Sequence, residues 1–464
     1  MYKIKIFLYL IFVMINFTSC KKPIQSQNKI TLNIWIMPNS SEPQITFENI
    51  LEEFKKENPN IDLIVNVIDW GSAWSKITTA ATSGTGPDIC QLGTTWVGTV
   101  TSMGALVDLT DWVKNDLGTD KFVPNVLPTG GIAGNFTSVP WIIDARALFY
   151  RKDIFDKLGI KPQDMNDWSG FEKVLKKIYD AYVVSDENAN LYFGEEAKKL
   201  ESKQGYFRVY PIGVPGKNDW NVIYNFDPWI WSAGGDWLTS DNKPFNNAKE
   251  ILDGIIFYTS IAKKYTTKSC LELNSSQVET WFANGRFAII PSGAWTVRNL
   301  TLPPEKGGFN NLPVASKFGV VHYPEGPKGR YTFLGGSNFV IFKSCKYPQI
   351  AWKVIKYLLE KKQQLDYAKN SGFLPATIDS YNDPYFDKNP HLKVFKETVK
   401  YGRVHPCIPL WGPAEVILIR RLGTIWDYVS GVYGEIDVER KIKEEVANIQ
   451  KDLMTLFEQD KTKM

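Results

Sequence analysis

A chain of 464 residues exceeds what one ordinary hydrophobic core holds, so two or three domains or lobes are expected. Its 54 basic and 50 acidic residues leave a net charge of +4 with no block of like charge, which argues against a nucleic-acid partner. At 44% hydrophobic and 22% charged the composition is that of a soluble globular protein, and 16 Trp beside 21 Tyr and 26 Phe suit ligand stacking as well as core filling.

The first twenty residues stand outside any fold. Lys3 and Lys5 precede ten consecutive apolar residues, Ile6 to Ile15, a length that suits a signal-peptide core and is too short to span a bilayer as a helix. Phe17-Thr18-Ser19-Cys20 resembles the bacterial lipoprotein signal, with Phe where Leu is usual. Lipid on Cys20 would anchor the chain to a membrane face, with residues 21–28 as a polar tether. An ordinary secretory signal with an incidental cysteine is the alternative. Cys90, Cys270, Cys345 and Cys407 lack C-x-x-C spacing and read as isolated buried thiols, although an exported chain permits disulfides. His322, His391 and His405 have no metal-ligand spacing, so no metal and no cofactor are expected. G-x-S-x-G, Walker, G-x-G-x-x-G and H-E-x-x-H motifs are all missing from the sequence.

In chain order, Ile30, Leu32, Ile34 and Ile36 alternate with polar or aromatic residues as in a strand, and residues 37–42 form a loop after it. Ser41, Pro43 and Gln44 are expected to open a helix in capping-box fashion, with Phe47, Ile50, Leu51 and Phe54 on its inner face. A second strand over 61–68 makes a βαβ opening and implies a parallel sheet. A helix over 74–81 and a third strand over 87–92 follow. Residues 176–203 read as a polar, irregular surface excursion. Asn284-Gly285 ends a helix, and Phe287 to Ile290 is a buried strand that Pro291 breaks, delivering Trp295 beyond its carboxyl end, where ligands sit in open α/β sheets. Later, Ala351, Val354, Ile355, Leu358 and Leu359 form one helix face, and Val438, Ile442, Val446, Ile449, Leu453 and Leu456 another.

Several stretches together carry a family resemblance. Phe54-Lys55-Lys56-Glu57-Asn58-Pro59, Pro87-Asp88-Ile89, Asp144 to Asp153 after Val139-Pro140, and Trp231-Ser232-Ala233-Gly234-Gly235-Asp236 occur in order. Phe282-Ala283-Asn284-Gly285-Arg286 through Gly293-Ala294-Trp295, then Gly335-Gly336-Ser337-Asn338 and Phe373-Leu374-Pro375-Ala376, complete the set. Over residues 29 to 455 the chain resembles bacterial extracellular solute-binding proteins, in particular the maltose-binding-protein-like sugar receptors of ABC importers. That resemblance implies a two-lobed α/β periplasmic-binding-protein fold with a ligand cleft and multiple chain crossovers. Lobe one would hold 29–143 and 321–367, and lobe two 144–320 and 368–464.

The resemblance also implies a non-enzymatic monomer that binds a carbohydrate, expected to be an oligosaccharide, and feeds ABC permease subunits from the outer face of a membrane. Sugars have an apolar C–H face that Trp and Tyr can cover and a hydroxyl rim that needs polar partners. Trp295 is the first candidate for stacking; a core Trp behind the loop is the alternative. Trp231 either faces the cleft with Asp236 or packs beneath it. Asp144 is a hydroxyl acceptor or the ion-pair partner of Arg146. Trp96 and Thr95 follow the third strand, and Trp411 sits in a Pro/Gly-rich loop. Glu42 and Trp70 have sufficient structural uses, and Ser337 lies in a stretch that is either cleft wall or tight turn. Two other functions compete: a glycoside hydrolase, for which Asp144 and Glu415 would be a conceivable carboxylate pair, and the same fold binding a solute other than sugar.

Overall fold

The computed structural model describes residues 29–183 and 209–461; the expected signal segment and tether and most of the expected 176–203 excursion lie outside them. The opening strands are β1 (Ile30–Ile36), β2 (Ile61–Val67) and β3 (Ile89–Gly93), with β1 central and parallel to both neighbours. A small hairpin, β4 (Gly131–Ile132) with β5 (Asn135–Phe136), precedes the long β6 (Ser138–Arg151). Then come β7 (Tyr210–Ile212), β8 (Phe287–Gly293), β9 (Phe318–Val321), β10 (Thr332–Ile341), β11 (Leu374–Pro375) and β12 (Gly402–Arg403). The path through the sheet runs β2-β1-β3-β10-β6-β8-β7.

This order divides the molecule into two lobes sharing β6. Its first half pairs antiparallel with β10, from Ser138–Val340 to Ala145–Leu334, and β10 in turn pairs with β3. Its second half pairs with β8 and β9, from Arg146–Gly293 to Arg151–Phe318. Near-continuous burial along β6 and β10 is what a strand covered on both faces requires.

Each lobe's sheet is covered on both sides. Helix Pro43–Glu57 lays Phe47, Ile50, Leu51 and Phe54 on one face of the β1 sheet, against Leu32, Ile34 and Ile36. Helix Trp70–Ser83 covers the other with Ala73, Ile77, Ala80 and Ala81. Burying each large apolar side chain of this kind is worth about 1.5–3 kcal/mol, an upper bound given a partly collapsed unfolded chain. In the second lobe, helices Val222–Ala233, Lys249–Tyr265, Trp411–Ser430 and Val438–Lys461 enclose one core. Ile442, Val446, Ile449 and Leu453 of the last helix are buried in it, as their spacing predicts. Cys90, Cys270, Cys345 and Cys407 are all free thiols; the first three are buried.

Four local expectations change. Ser41 does not cap the first helix: Glu42 holds that position with no side-chain bond, Pro43 supplies no N–H to cap, and the Ser41 hydroxyl donates instead to the Lys306 carbonyl at 2.9 Å. The second helix begins at Trp70 rather than Trp74, because Asp69 accepts from the Gly71 N–H at 2.9 Å. Pro291 does not break β8. Parallel β7 ends at Ile212 opposite Ile289, so Pro291 pairs only with β6, opposite Leu148, and a residue without N–H is tolerated at such an edge. Residues up to Tyr182 of the expected excursion belong to helix Trp168–Tyr182, capped by Asp167 and packed through Phe171, Val174, Leu175 and Ile178.

Candidate functional site

Between the lobes lies a cavity of about 340 Å³ reached by strand exits from both sides. Its lobe-one wall is set by one buried amide. Gln91, fully buried in β3, accepts from the Met37 N–H at 2.8 Å and donates to the Ser337 hydroxyl at 2.8 Å. Asn39 reaches the same Gln91 oxygen and the Tyr367 hydroxyl at 3.0 Å. The loop leaving β1 and the middle of β10 are thereby fixed to each other. Burying the Gln91 amide is offset by these bonds at both its oxygen and its nitrogen.

The lobe-two wall is built around Trp295, the first residue of helix Trp295–Thr301. Its indole N–H donates to Glu279 Oε1 at 2.9 Å, and the same oxygen accepts from Ser292 at 2.6 Å. The Arg146 guanidinium lies 5.1 Å from the Trp295 ring centroid, and the Phe373 ring packs at 5.1 Å. Gly293 has to be glycine here: a Cβ would come 2.0 Å from the Trp295 ring. Arg146 donates from Nε and Nη2 to the two oxygens of Asp144, each at 2.9 Å, and both residues are over nine-tenths buried. Burial works against the charged guanidinium, but Asp144, with Asp219 behind it, more than offsets this and holds it protonated. Burial pushes the Glu279 carboxyl above its usual range, opposed by Ser292, Trp295 and Arg146.

Aromatic rings from both lobes meet along the cavity wall. Trp70 stacks on Trp220, centroids 5.5 Å apart and planes 12° apart, and meets Trp96 edge-on at 5.9 Å. Behind them Tyr224 stacks on Phe333 at 3.9 Å and donates its hydroxyl to Glu415 at 2.8 Å. Thr95, from the β3 exit, also donates to Glu415, at 3.2 Å. Burial raises the Glu415 carboxyl's affinity for a proton, against the stabilising bond from Tyr224.

Trp295, Asp144, Trp96, Thr95, Trp70 and Ser337 therefore line one cavity. Trp231, Asp236, Trp411 and Glu42 do not. Trp411, 1% exposed, stacks on His405 at 4.2 Å, and Trp231, also 1% exposed, packs on the same imidazole at 5.5 Å. His405 Nε2 in turn lies 2.9 Å from the fully buried Asp227 carboxylate. These two tryptophans are packed into the second lobe's core around the buried His405 ring, itself set against Asp227. Asp236 is committed to Arg403 and to the Trp237 N–H, and Glu42 is exposed at a helix start. Glu415, set against Asp144 above as a carboxylate pair, is locked behind the wall by Tyr224 and Thr95.

Several lining residues are not among the candidates read from the sequence: Trp220, Tyr224, Glu279 and Phe333, with Phe373 named there only inside a family motif. Trp220 lies well beyond the end of β7 at Ile212, just before helix Val222–Ala233, so the strand-exit argument that reaches Trp96 does not reach it. Glu279 lies on helix Ser275–Ala283, shortly before the Phe282–Arg286 motif, and only the fold turns it toward Trp295. Among the described residues no cluster of three or more His, Cys, Asp or Glu is placed to hold a metal, and no helix is long and apolar enough to cross a membrane.

Two α/β lobes joined by long shared strands around a polar and aromatic cavity define a cleft-type binding protein. The family model for bacterial extracellular solute-binding proteins matches residues 49–394, and the chain belongs to that family. A binding protein of Brucella abortus (strain 2308) is 26% identical over 367 residues, 79% of this chain and 80% of the relative. The maltotriose-binding protein of Pyrococcus abyssi (strain GE5 / Orsay) is 21% identical over 431 residues, 90% of this chain and 82% of the relative. Among solved structures, an ABC transporter solute-binding protein from Thermotoga lettingae bound with alpha-D-tagatose shares the fold at TM-score 0.73 and 24% identity, covering 91% of this chain and all of that one.

Proposed function

We propose that this protein captures a carbohydrate by closing its lobes and delivers it, chemically unchanged, to an ABC importer. The observation that carries the reading is the pairing of Trp295, held by Glu279 and Arg146, with buried carboxylates in one interlobe cavity. A flat ring fixed in place covers a sugar's C–H face, and Asp144 and Glu279 are strong acceptors for its hydroxyls. The relative named for maltotriose and the tagatose-bound structure support the same ligand class. The ten residues named from the sequence divide accordingly: six that line the cavity are proposed to touch ligand, while Trp231, Asp236, Trp411 and Glu42 are assigned to the frame around it.

The lobes divide at 29–143 with 321–367 and 144–320 with 368–464, and β6 and β10 serve as hinges for closure. Lobe angle then gives the permease a difference between loaded and empty receptor. Lipid on Cys20 holds the monomeric receptor at the membrane; the support for this is the Phe17-Thr18-Ser19-Cys20 pattern. Transport requires no bond cleavage, and the alternative of a hydrolase is tested directly. Titration calorimetry with mono- and disaccharides should give saturable binding, and prolonged incubation should leave the sugars intact. Cleavage products would overturn the receptor reading.

A further inference from the structure

Two asparagines on the cavity wall each have one amide atom left over. Asn39, in the loop leaving β1, and Asn221, just before helix Val222–Ala233, line the cavity from opposite lobes and are 7% and 5% exposed. The side-chain oxygen of each is buried and has no hydrogen-bond partner among the described residues. The Met37 N–H can only donate, so the Gln91 oxygen that receives it is an acceptor, and the Asn39 group turned toward that oxygen is its NH2. The same NH2 donates to the Tyr367 hydroxyl at 3.0 Å, which leaves Asn39 Oδ1 over.

Asn221 reaches the same state by another route. Its Nδ2 and its backbone N–H both donate to Asp219 Oδ1, at 3.4 and 3.2 Å. Asparagine is favoured as an N-cap because its oxygen accepts from the first helical turn. Asn221 holds the N-cap position of helix Val222–Ala233 and makes no such bond. Its Oδ1 therefore serves neither the helix nor Asp219. The wall's carboxylates differ, since Asp144 already has Arg146, and Glu279 has Trp295 and Ser292. A buried oxygen without a donor is costly, and on a ligand cavity the cost is relieved when the ligand supplies the O–H.

We infer that Asn39 and Asn221 accept hydrogen bonds from two ligand hydroxyls, one at each lobe, so that the ligand bridges the lobes by donating to both. This rests on the carbohydrate reading above. A hydroxyl replaced by hydrogen or by fluorine cannot donate, so either change leaves the asparagine oxygen unpaired. The test is calorimetry on the full chain with a panel of neutral mono-, di- and trisaccharides, then with monodeoxy and monodeoxyfluoro analogues of the tightest binder. Alanine variants leave the wall its other bonds: Gln91 keeps Met37 and Ser337, and Asp219 keeps Asn225 and Ser275. Asn39→Ala and Asn221→Ala should each weaken binding of the parent sugar by about fivefold or more. In the wild type, deoxy and deoxyfluoro changes at two hydroxyls should cost the same; Asn39→Ala should be indifferent to one of these positions and Asn221→Ala to the other. If the variants bind the parent unchanged, or weaken every analogue alike without singling out a hydroxyl, the inference is overturned and the carbohydrate reading stands. Fluoro analogues that bind like the parent at every position overturn it equally. No binding of any panel sugar overturns the carbohydrate reading and the inference with it.

Discussion

Trp295 is held from several directions: an indole bond to Glu279, a guanidinium within 5.1 Å of its ring, and the Phe373 ring beside it. A ring held this way loses little further freedom when a ligand arrives, and preorganisation of that kind favours affinity. Trp295→Ala should weaken sugar binding at least tenfold, about 1.4 kcal/mol, with an unchanged circular dichroism spectrum. Unchanged affinity in calorimetry would remove Trp295 from the site. Glu279 adds a pH signature. Its carboxyl is raised by burial, so acceptance of a ligand hydroxyl is lost as pH falls, beginning at higher pH than for an exposed glutamate. Glu279→Gln should bind more weakly near neutrality and show a flatter affinity–pH profile over that acid range; parallel profiles would contradict the assignment. At this scale the sequence was partly legible. Trp96 and Thr95 could be placed beyond the third strand because one short stretch sets their place, whereas Trp70 reads there as having sufficient structural uses. Trp231 and Trp411 could not be told from wall residues, since what buries them is His405 beside Asp227, contacts that appear only on folding.

At the scale of elements, hydrophobic periodicity located β1, β2 and the first and last helices, because a buried face repeats along the sequence. It failed where the deciding partner is distant. Pro291 reads as a breaker, yet sits in β8 because β7 stops short. Ser41 reads as a cap, yet its hydroxyl serves the Lys306 carbonyl. One helix also carries a stability signal. His391, in the first turn of helix Pro390–Thr398, stacks on Phe318 at 4.3 Å, and burial lowers its pKa from 6.5 to about 4. A depressed folded pKa means stability present above the unfolded value and lost as pH falls from about 6.5 towards 4. His391→Phe keeps an aromatic contact and removes the titration. Its melting temperature should fall less than the wild type's across that window, and equal slopes would show that His391 does not set the acid sensitivity.

For the whole molecule, the resemblance-bearing motifs implied two lobes and a cleft, and the shared strand β6 realises that arrangement. What sequence could not supply is the set of contacts between lobes: Trp70 on Trp220, Ser41 on Lys306, Thr95 on Glu415. Each joins residues far apart in the chain, and each would have to form or break if the cleft opens. A receptor that captures its ligand by closure must therefore change its overall dimensions on binding, with β6 and β10 bending at the lobe boundary. Small-angle X-ray scattering of the mature chain, with and without a saturating neutral disaccharide, measures this most directly. A smaller radius of gyration is expected with sugar bound. Identical scattering curves at a sugar concentration that calorimetry shows to be saturating would contradict it.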